Sequence, residues 1–214
     1  MLKILIADDH PVVRQGVKQI LAEELQLKQF GEARNAREVL ENVSKKKWDI
    51  LILDINLPDM SGLEILRQLK KVHPDLPVLV LTVFDEDQIA IRVLKAGASG
   101  FVTKETMPNE LIAAVKKIHS GGKYVSPSLA EKLVFNIYAE DEKPVHHKLS
   151  NREYQVICLI AAGKSVKQIA DELYLSIQTI RTYRTRILEK MEMNTDAELI
   201  HYAIHHGLIH PPHI

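Results

Sequence analysis

The chain has 214 residues, 46% hydrophobic and 26% charged, a composition of soluble globular proteins with length for one large core or two small ones. Twenty-eight Lys and Arg balance twenty-eight Asp and Glu, so no bulk electrostatic excess draws the chain to nucleic acid or membrane, and any such partner must be met by a local patch. The single cysteine, Cys158, excludes an internal disulfide and a four-cysteine zinc site. The apolar run at residues 1–9 is too short for a signal peptide, and no later run approaches the ~18 apolar residues of a spanning helix. The expectation is a cytoplasmic protein with no membrane partner.

In chain order, short apolar runs alternate with amphipathic stretches. Residues 4–7, 50–53 and 78–81 are unbroken and rich in β-branched side chains, with a shorter run at 100–102 and a weaker one at 27–33. Such runs predict parallel strands buried on both faces. Between them Val13, Val17, Ile20 and Leu21 share one helical face, as do Leu63, Leu66 and Leu69, and then Ile89, Val93 and Leu94. Strand–helix alternation of this kind implies a doubly wound α/β sheet with right-handed crossovers. After Ser126 the strand runs stop. A short helix is expected over 126–137, entered through Pro127, and the acidic stretch 139–144, which ends at Pro144, reads as a linker. From Leu149 onward the period is helical throughout. The expected division is a first domain over 1–122, a linker over 123–147, a helical domain over 148–209 and a disordered tail over 210–214.

In open α/β sheets, sites form beyond the carboxyl ends of the strands. The residues leaving those ends are Asp8 and Asp9, Asp54, Thr82 and Lys104. Carboxylates brought together repel at neutral pH unless a cation intervenes, and a hard dication that favours oxygen ligands, such as Mg²⁺, fits that need. A lysine opposite the cluster offers a compact positive charge, and Thr82 a hydroxyl. Together these describe a carboxylate able to accept a phosphoryl group, with metal, lysine and hydroxyl sharing the added charge. A flavodoxin-like enzyme holding a phosphorylated cofactor is disfavoured, because no Gly-rich loop follows the first strand.

The segments Asp8-Asp9-His10-Pro11, Asp54 with Leu57-Pro58-Asp59-Met60-Ser61-Gly62, Leu81-Thr82 and Gly97-Ala98-Ser99-Gly100-Phe101-Val102-Thr103-Lys104 resemble a response-regulator receiver domain. The resemblance implies a flavodoxin-like, five-stranded parallel sheet. It implies Asp54 as phosphoacceptor and Mg²⁺ held by Asp8, Asp9, Asp54 and the backbone carbonyl of Asn56. Lys104 would stabilise the phosphoryl group, and Thr82 and Phe101 would be the switch pair that reorients on phosphorylation. The donor would be a sensor histidine kinase, and the domain a signalling switch rather than a turnover enzyme.

In the second half, Ser150-Asn151-Arg152-Glu153 and Ser165-Val166-Lys167-Gln168 are capping boxes, each opening a short helix, and Ser176 caps a longer helix reaching about Met191. Two helices separated by three to four residues have helix-turn-helix spacing. On the longer helix Ile177, Ile180, Ile187, Leu188 and Met191 form one face, opposite Gln178, Arg181, Thr182, Thr185 and Arg186. An Arg/Thr face suits the major groove of duplex DNA, where Arg reads guanine and Thr methyls meet thymine, so Arg181, Thr182 and Thr185 are the candidate base contacts. Lys164, Thr179, Tyr183 and Lys190 are candidate backbone contacts that fix register.

The blocks Leu149 to Glu153, Lys167 to Ala170, Ser176 to Thr182, Ile187 to Met191 and Glu198 to Ile209 resemble the LuxR/FixJ-type helix-turn-helix. The resemblance implies an all-α four-helix domain that binds promoter DNA as a homodimer paired through its last helix, with RNA polymerase as a further partner. Tyr183, Glu192 and Asp196 depart from that pattern, which more often has His, Gly and a basic or polar residue there. The competing reading is a phosphorylation-controlled adaptor whose Arg/Thr face binds a protein, favoured slightly by the neutral charge and by Asp196.

Overall fold

A computed structural model describes residues 2–82, 87–127, 129–131 and 144–208, the side chains of 87, 88, 147 and 151 excepted. The chain divides into two compact units, Met1–Tyr138 and Ala139–Ile214.

The first unit alternates strand and helix: β1 (Lys3–Ala7), α1 (Pro11–Leu25), β2 (Gln29–Ala33), α2 (Ala36–Lys45), β3 (Ile50–Asp54), α3 (Gly62–Val72), β4 (Val78–Thr82), α4 (Asp87–Lys95), β5 (Gly100–Thr103) and α5 (Met107–His119). The five strands lie in the order β2-β1-β3-β4-β5, and every neighbouring pair is parallel. β3 and β4 are buried along their whole length and β1 at all but its first residue, as unbroken apolar runs between two helical layers must be. On one face Ile4, Ile6, Ile50, Ile52, Leu79, Leu81 and Val102 meet Val17 and Leu21 of α1 and Leu111, Val115 and Ile118 of α5. The weaker run expected at 27–33 becomes a strand only from Gln29. α1 ends in a left-handed residue at Gln26 (φ 52°), and the chain needs Leu27 and Lys28 to reach the sheet edge. Sheet order reverses between β1 and β3, which opens a crevice outside their carboxyl ends.

Beyond α5, Tyr124 bridges Gly100, and helical geometry begins at Pro127, with the Ser126 hydroxyl accepting from the Leu129 amide at 3.2 Å. The remainder of the helix expected to residue 137, the acidic stretch 139–143 and the tail 210–214 lie outside the described residues.

The second unit opens with a 3₁₀ turn, Val145–Lys148, and continues through α6 (Asn151–Ala161), α7 (Val166–Glu172), α8 (Ile177–Met191) and α9 (Asp196–His205). Hydroxyl caps open all four α-helices. Ser150 and Ser165 form full capping boxes with Glu153 and Gln168, Ser176 accepts from the Thr179 amide, and Thr195 accepts from the Glu198 amide. Each such cap contributes about 1 kcal/mol. Val156, Ile157, Ile169, Ile180, Ile187, Leu199 and Ala203 are fully buried and form the core. Ile177 departs from the inward stripe: it is 43% exposed because it occupies the first helical position, before α8 reaches its neighbours. α8 ends at Glu192 in the left-handed region (φ 58°). A side chain there costs roughly 1–2 kcal/mol relative to glycine, which explains why the LuxR/FixJ pattern favours Gly at this position. Among the described residues no helix is long and apolar enough to cross a membrane.

Candidate functional site

Parallel pairing carries β1, β3, β4 and β5 to one edge, and their last residues deliver the site. Asp8 follows β1, Asp54 closes β3, Thr82 closes β4 and Lys104 follows β5. The Lys104 ammonium lies 2.7 Å from Asp8 Oδ2 and 2.8 Å from Asp54 Oδ2. The other Asp54 oxygen, Oδ1, accepts from the Asn56 amide at 3.0 Å, which places that residue's backbone at the site. Asp8 and Asp54 side chains are 1% exposed, and that of Asp9 9%. The ligand atoms of Asp8, Asp9, His10 and Asp54 all lie within 4.8 Å of one another. Thr82 is fully buried beside this group: Leu81, one residue earlier, is the cross-strand partner of Asp54, and the Thr82 carbonyl accepts from the Lys104 amide at 2.6 Å. Phe101 is buried and pairs with Val80 as Thr103 pairs with Thr82. Alternation along the strands therefore sets Phe101 and Thr82 on the same face of the sheet.

Burial pushes the Asp54 carboxyl up to about 6; Lys104 opposes that rise and the Asp8 carboxylate adds to it. Burial alone would lower Lys104, but Asp54 and Asp8 outweigh it and hold the ammonium above its ordinary value. Among the described residues the Lys104 ammonium pairs with Asp8 and Asp54, and Asp9 Oδ2 is buried without a hydrogen-bond partner. A buried carboxylate oxygen left so is costly, and the donor set is one of hard oxygens, so the residues fit a hard dication.

Three further residues build the site. Arg14 sits on the inward side of α1, 5% exposed; its Nη1 donates to the Asp8 carbonyl at 2.7 Å and its Nε to Glu32 Oε2 at 2.8 Å. Lys18 also pairs with Glu32, and the two cations, Lys18 the stronger, hold that carboxyl below the usual carboxylate range. A guanidinium within the apolar stripe Val13–Val17–Leu21 was the available sequence signal. Asp59 accepts from the amides of Ala36 (2.7 Å) and Arg37 (3.2 Å), tying the loop after Asp54 to the start of α2. Gly62 leaves no space for a side chain: a Cβ there would lie 2.5 Å from Ile55 Cα and 2.8 Å from the Asp54 carbonyl oxygen.

On α8, Gln178, Arg181, Thr182, Thr185 and Arg186 are exposed, with Thr179 and Tyr183 half-buried beside them. Ser176, Gln178, Thr179, Thr182, Tyr183 and Arg186 line a shallow groove of about 300 Å³. Thr182 donates its hydroxyl hydrogen to the Gln178 carbonyl (3.0 Å) and Thr185 to that of Arg181 (3.1 Å). Arg181 and Arg186 form no ion pair among the described residues. Other cations are engaged within the unit. Arg184 Nε reaches both Asp196 oxygens at 2.7 and 2.9 Å, and Lys190 donates to the buried Glu153 at 2.6 Å. Lys164 pairs with Glu172. For Lys164 and Lys190, expected at the DNA backbone, the structure therefore shows intramolecular carboxylate partners, and Asp196 is no unpaired charge but the counter-ion of Arg184.

Residues 4–116 match the response regulator receiver domain, and 147–203 match the luxR family of bacterial regulatory proteins. The response regulator GacA of Pseudomonas protegens is 36% identical over 209 residues, covering 98% of this chain and 98% of that protein. The response regulator UvrY of Escherichia coli K12 is 32% identical over 209 residues, covering 97% and 96%. Among solved structures, RcsB from Salmonella enterica serovar Typhimurium, bound to promoter rprA with the phosphomimetic BeF₃⁻, aligns with a TM-score of 0.64 at 29% identity, covering 94% of this chain and 97% of that one. A two-component response regulator RcsB–DNA complex aligns at 0.59 and 28%, covering 95% and 98%. The chain belongs to the response regulators that join a receiver domain to a LuxR-type helix-turn-helix. It is a DNA-binding transcription regulator of the two-component type, not a turnover enzyme.

Proposed function

We propose that Asp54 accepts a phosphoryl group from a phosphohistidine of a sensor kinase and that the change alters promoter binding by a homodimer of this chain. An Asp54 oxygen forms the new P–O bond as the P–N bond of the donor breaks, and the departing imidazole takes up a proton. Asp8, Asp9, Asp54 and the Asn56 carbonyl would hold Mg²⁺, which supplies charge neutralisation to the phosphoryl oxygens when bound. Before transfer, Lys104 bridges Asp8 and Asp54. The added negative charge on Asp54 redistributes that bridge and gives Thr82 a new acceptor. Thr82 and Phe101 share a sheet face, so a shift of one side chain is transmitted to the other. Phosphorylation then acts as a population shift between two arrangements.

In the second unit, Arg181, Thr182 and Thr185 read base edges, while Thr179, Tyr183 and Lys164 contact the backbone. Lys190 primarily supports Glu153. Two copies meet a two-fold DNA site, RNA polymerase is the downstream partner, and the setting is the cytoplasm, with the receiver over 1–122, the linker over 123–147 and the DNA-binding domain over 148–209. The observation that carries this reading is the Lys104 ammonium held between Asp8 and Asp54 at the carboxyl edge of a parallel sheet. The test is promoter-DNA affinity before and after acyl-phosphate treatment, with Asp54→Ala alongside. Treatment is expected to change affinity in the wild type and leave Asp54→Ala unmoved. Equal affinities in all three samples overturn the proposal.

A further inference from the structure

The imidazole of His10 belongs to the acidic centre, although the receiver resemblance assigns that position no role. His10 Nδ1 lies 2.7 Å from Asp9 Oδ1 and 3.3 Å from Asp8 Oδ1. Adjacent ligands of one octahedral dication stand ~2.9 Å apart, given metal–oxygen distances near 2.1 Å. The nitrogen thus already sits at ligand-to-ligand spacing from two carboxylates. Its backbone is fixed for that purpose: the His10 amide donates to Asp8 Oδ1 at 2.8 Å, and Pro11 follows as the first residue of α1. Asp9 supplies the second, independent observation, since its side chain is 9% exposed and, among the described residues, its buried Oδ2 has no hydrogen-bond partner. The His10 side chain is 59% exposed, which leaves the centre open to an ion arriving from solvent.

We infer that His10 is a metal ligand of the acidic centre and that its nitrogen shifts the centre's selectivity toward first-row transition dications over Mg²⁺. This rests on the reading of Asp8, Asp9 and Asp54 as a dication site. An all-oxygen set suits Mg²⁺, which keeps several waters; replacing one water by imidazole favours a borderline metal, because nitrogen binds such ions better than it binds Mg²⁺. With its proton on Nε2 the neutral imidazole offers the Nδ1 lone pair to an ion.

The test uses the full chain with Mn²⁺ and Mg²⁺ separately, neither requiring phosphorylation. Mn²⁺ is paramagnetic, so electron-spin-echo modulation reports a directly bound ¹⁴N. The wild type is expected to show that modulation, excess Mg²⁺ to displace it, and His10→Asn to abolish it. In titrations, His10→Asn is expected to weaken Mn²⁺ binding on the order of tenfold, as loss of one supporting group does at metal sites, and to change Mg²⁺ binding less than twofold. Mn²⁺ bound in competition with Mg²⁺ but without nitrogen modulation overturns the role of His10 and leaves the carboxylate site standing. A modulation that persists in His10→Asn assigns the nitrogen to another histidine and overturns it equally. Failure of both ions to bind removes the dication site itself, and with it the reading on which this one stands.

Discussion

Lys190 offers the sharpest test, because a DNA-contacting lysine and a structural lysine give opposite results. Its ammonium sits 2.6 Å from Glu153 Oε2, an oxygen that also accepts from the Ser150 amide at 2.6 Å and belongs to a side chain 3% exposed. Removing one partner of a fully buried pair costs ~3–5 kcal/mol. Lys190 is 40% exposed, so water reaches the carboxylate once the lysine is cut back, and the loss falls toward that of one charge-assisted hydrogen bond, about 2 kcal/mol. For a unit of this size that is a drop of roughly 10 °C in melting temperature. The chain contains one tryptophan, Trp48, and it lies in the first unit. Indole fluorescence therefore follows the first unit, and far-UV dichroism reports both. Lys190→Ala is expected to lower the second unit's transition, leave the Trp48 transition in place, and keep the slope of log K against log salt for a mixed-sequence duplex unchanged. An unaltered melt with a slope reduced by ~0.9, the value of one lost phosphate contact, would refute the structural role and restore Lys190 to the DNA backbone.

Further outcomes are fixed by the same geometry. Glu153 is held below the usual carboxylate range: burial raises it, and the bonds from Lys190 and Ser150 outweigh that. A depressed carboxyl contributes its stability above its unfolded value of 4.5 and loses it as pH falls through the folded value. Glu153→Gln should thus melt below wild type at pH 7, with the gap narrowing as pH falls below 4.5, as dichroism will show. Gly62→Ala forces a Cβ to 2.5 Å from Ile55 Cα; the Trp48-reported transition should fall by several degrees, and a wild-type melt would disprove the clash. Arg184 and Asp196 are 36% and 41% exposed, so Asp196→Asn should change stability by less than ~1 kcal/mol while freeing Arg184, which tightens non-specific duplex binding measured by fluorescence anisotropy at low salt.

The strands that were plain in the sequence are those buried on both faces. Runs such as Ile50 to Leu53 have no polar position to confuse their period, and the first or second residue after each run is then a site residue by topology alone. Asp8, Asp54, Thr82 and Lys104 are therefore gathered at one sheet edge by the strand pattern itself. β2 was harder to delimit because Phe30 and Gly31 on the sheet edge are only half-buried and no apolar pattern marks the crossing at Gln26. Arg14 escaped for a different reason. Periodicity sorts residues into apolar and polar faces, and a guanidinium buried by two hydrogen bonds looks like an exception to both. On α8 the polar face was legible, but its charge pairing was not. Glu153 and Lys190 are 37 residues apart, and nothing local ties one to the other.

The back-bonded threonines of α8 set what kind of reader that helix can be. With their hydroxyl hydrogens returned to the carbonyls of Gln178 and Arg181, Thr182 and Thr185 hold out hydrocarbon and lone pairs rather than donors. On the proposed placement of α8 in the major groove, these two positions are blind to purine acceptors, which are left to Arg181, and respond to the presence of a pyrimidine C5 substituent. An operator copied with deoxyuridine in place of thymidine would keep every base-pair hydrogen bond and still lose that complementarity, whereas cytosine methylation at the same step would mimic it.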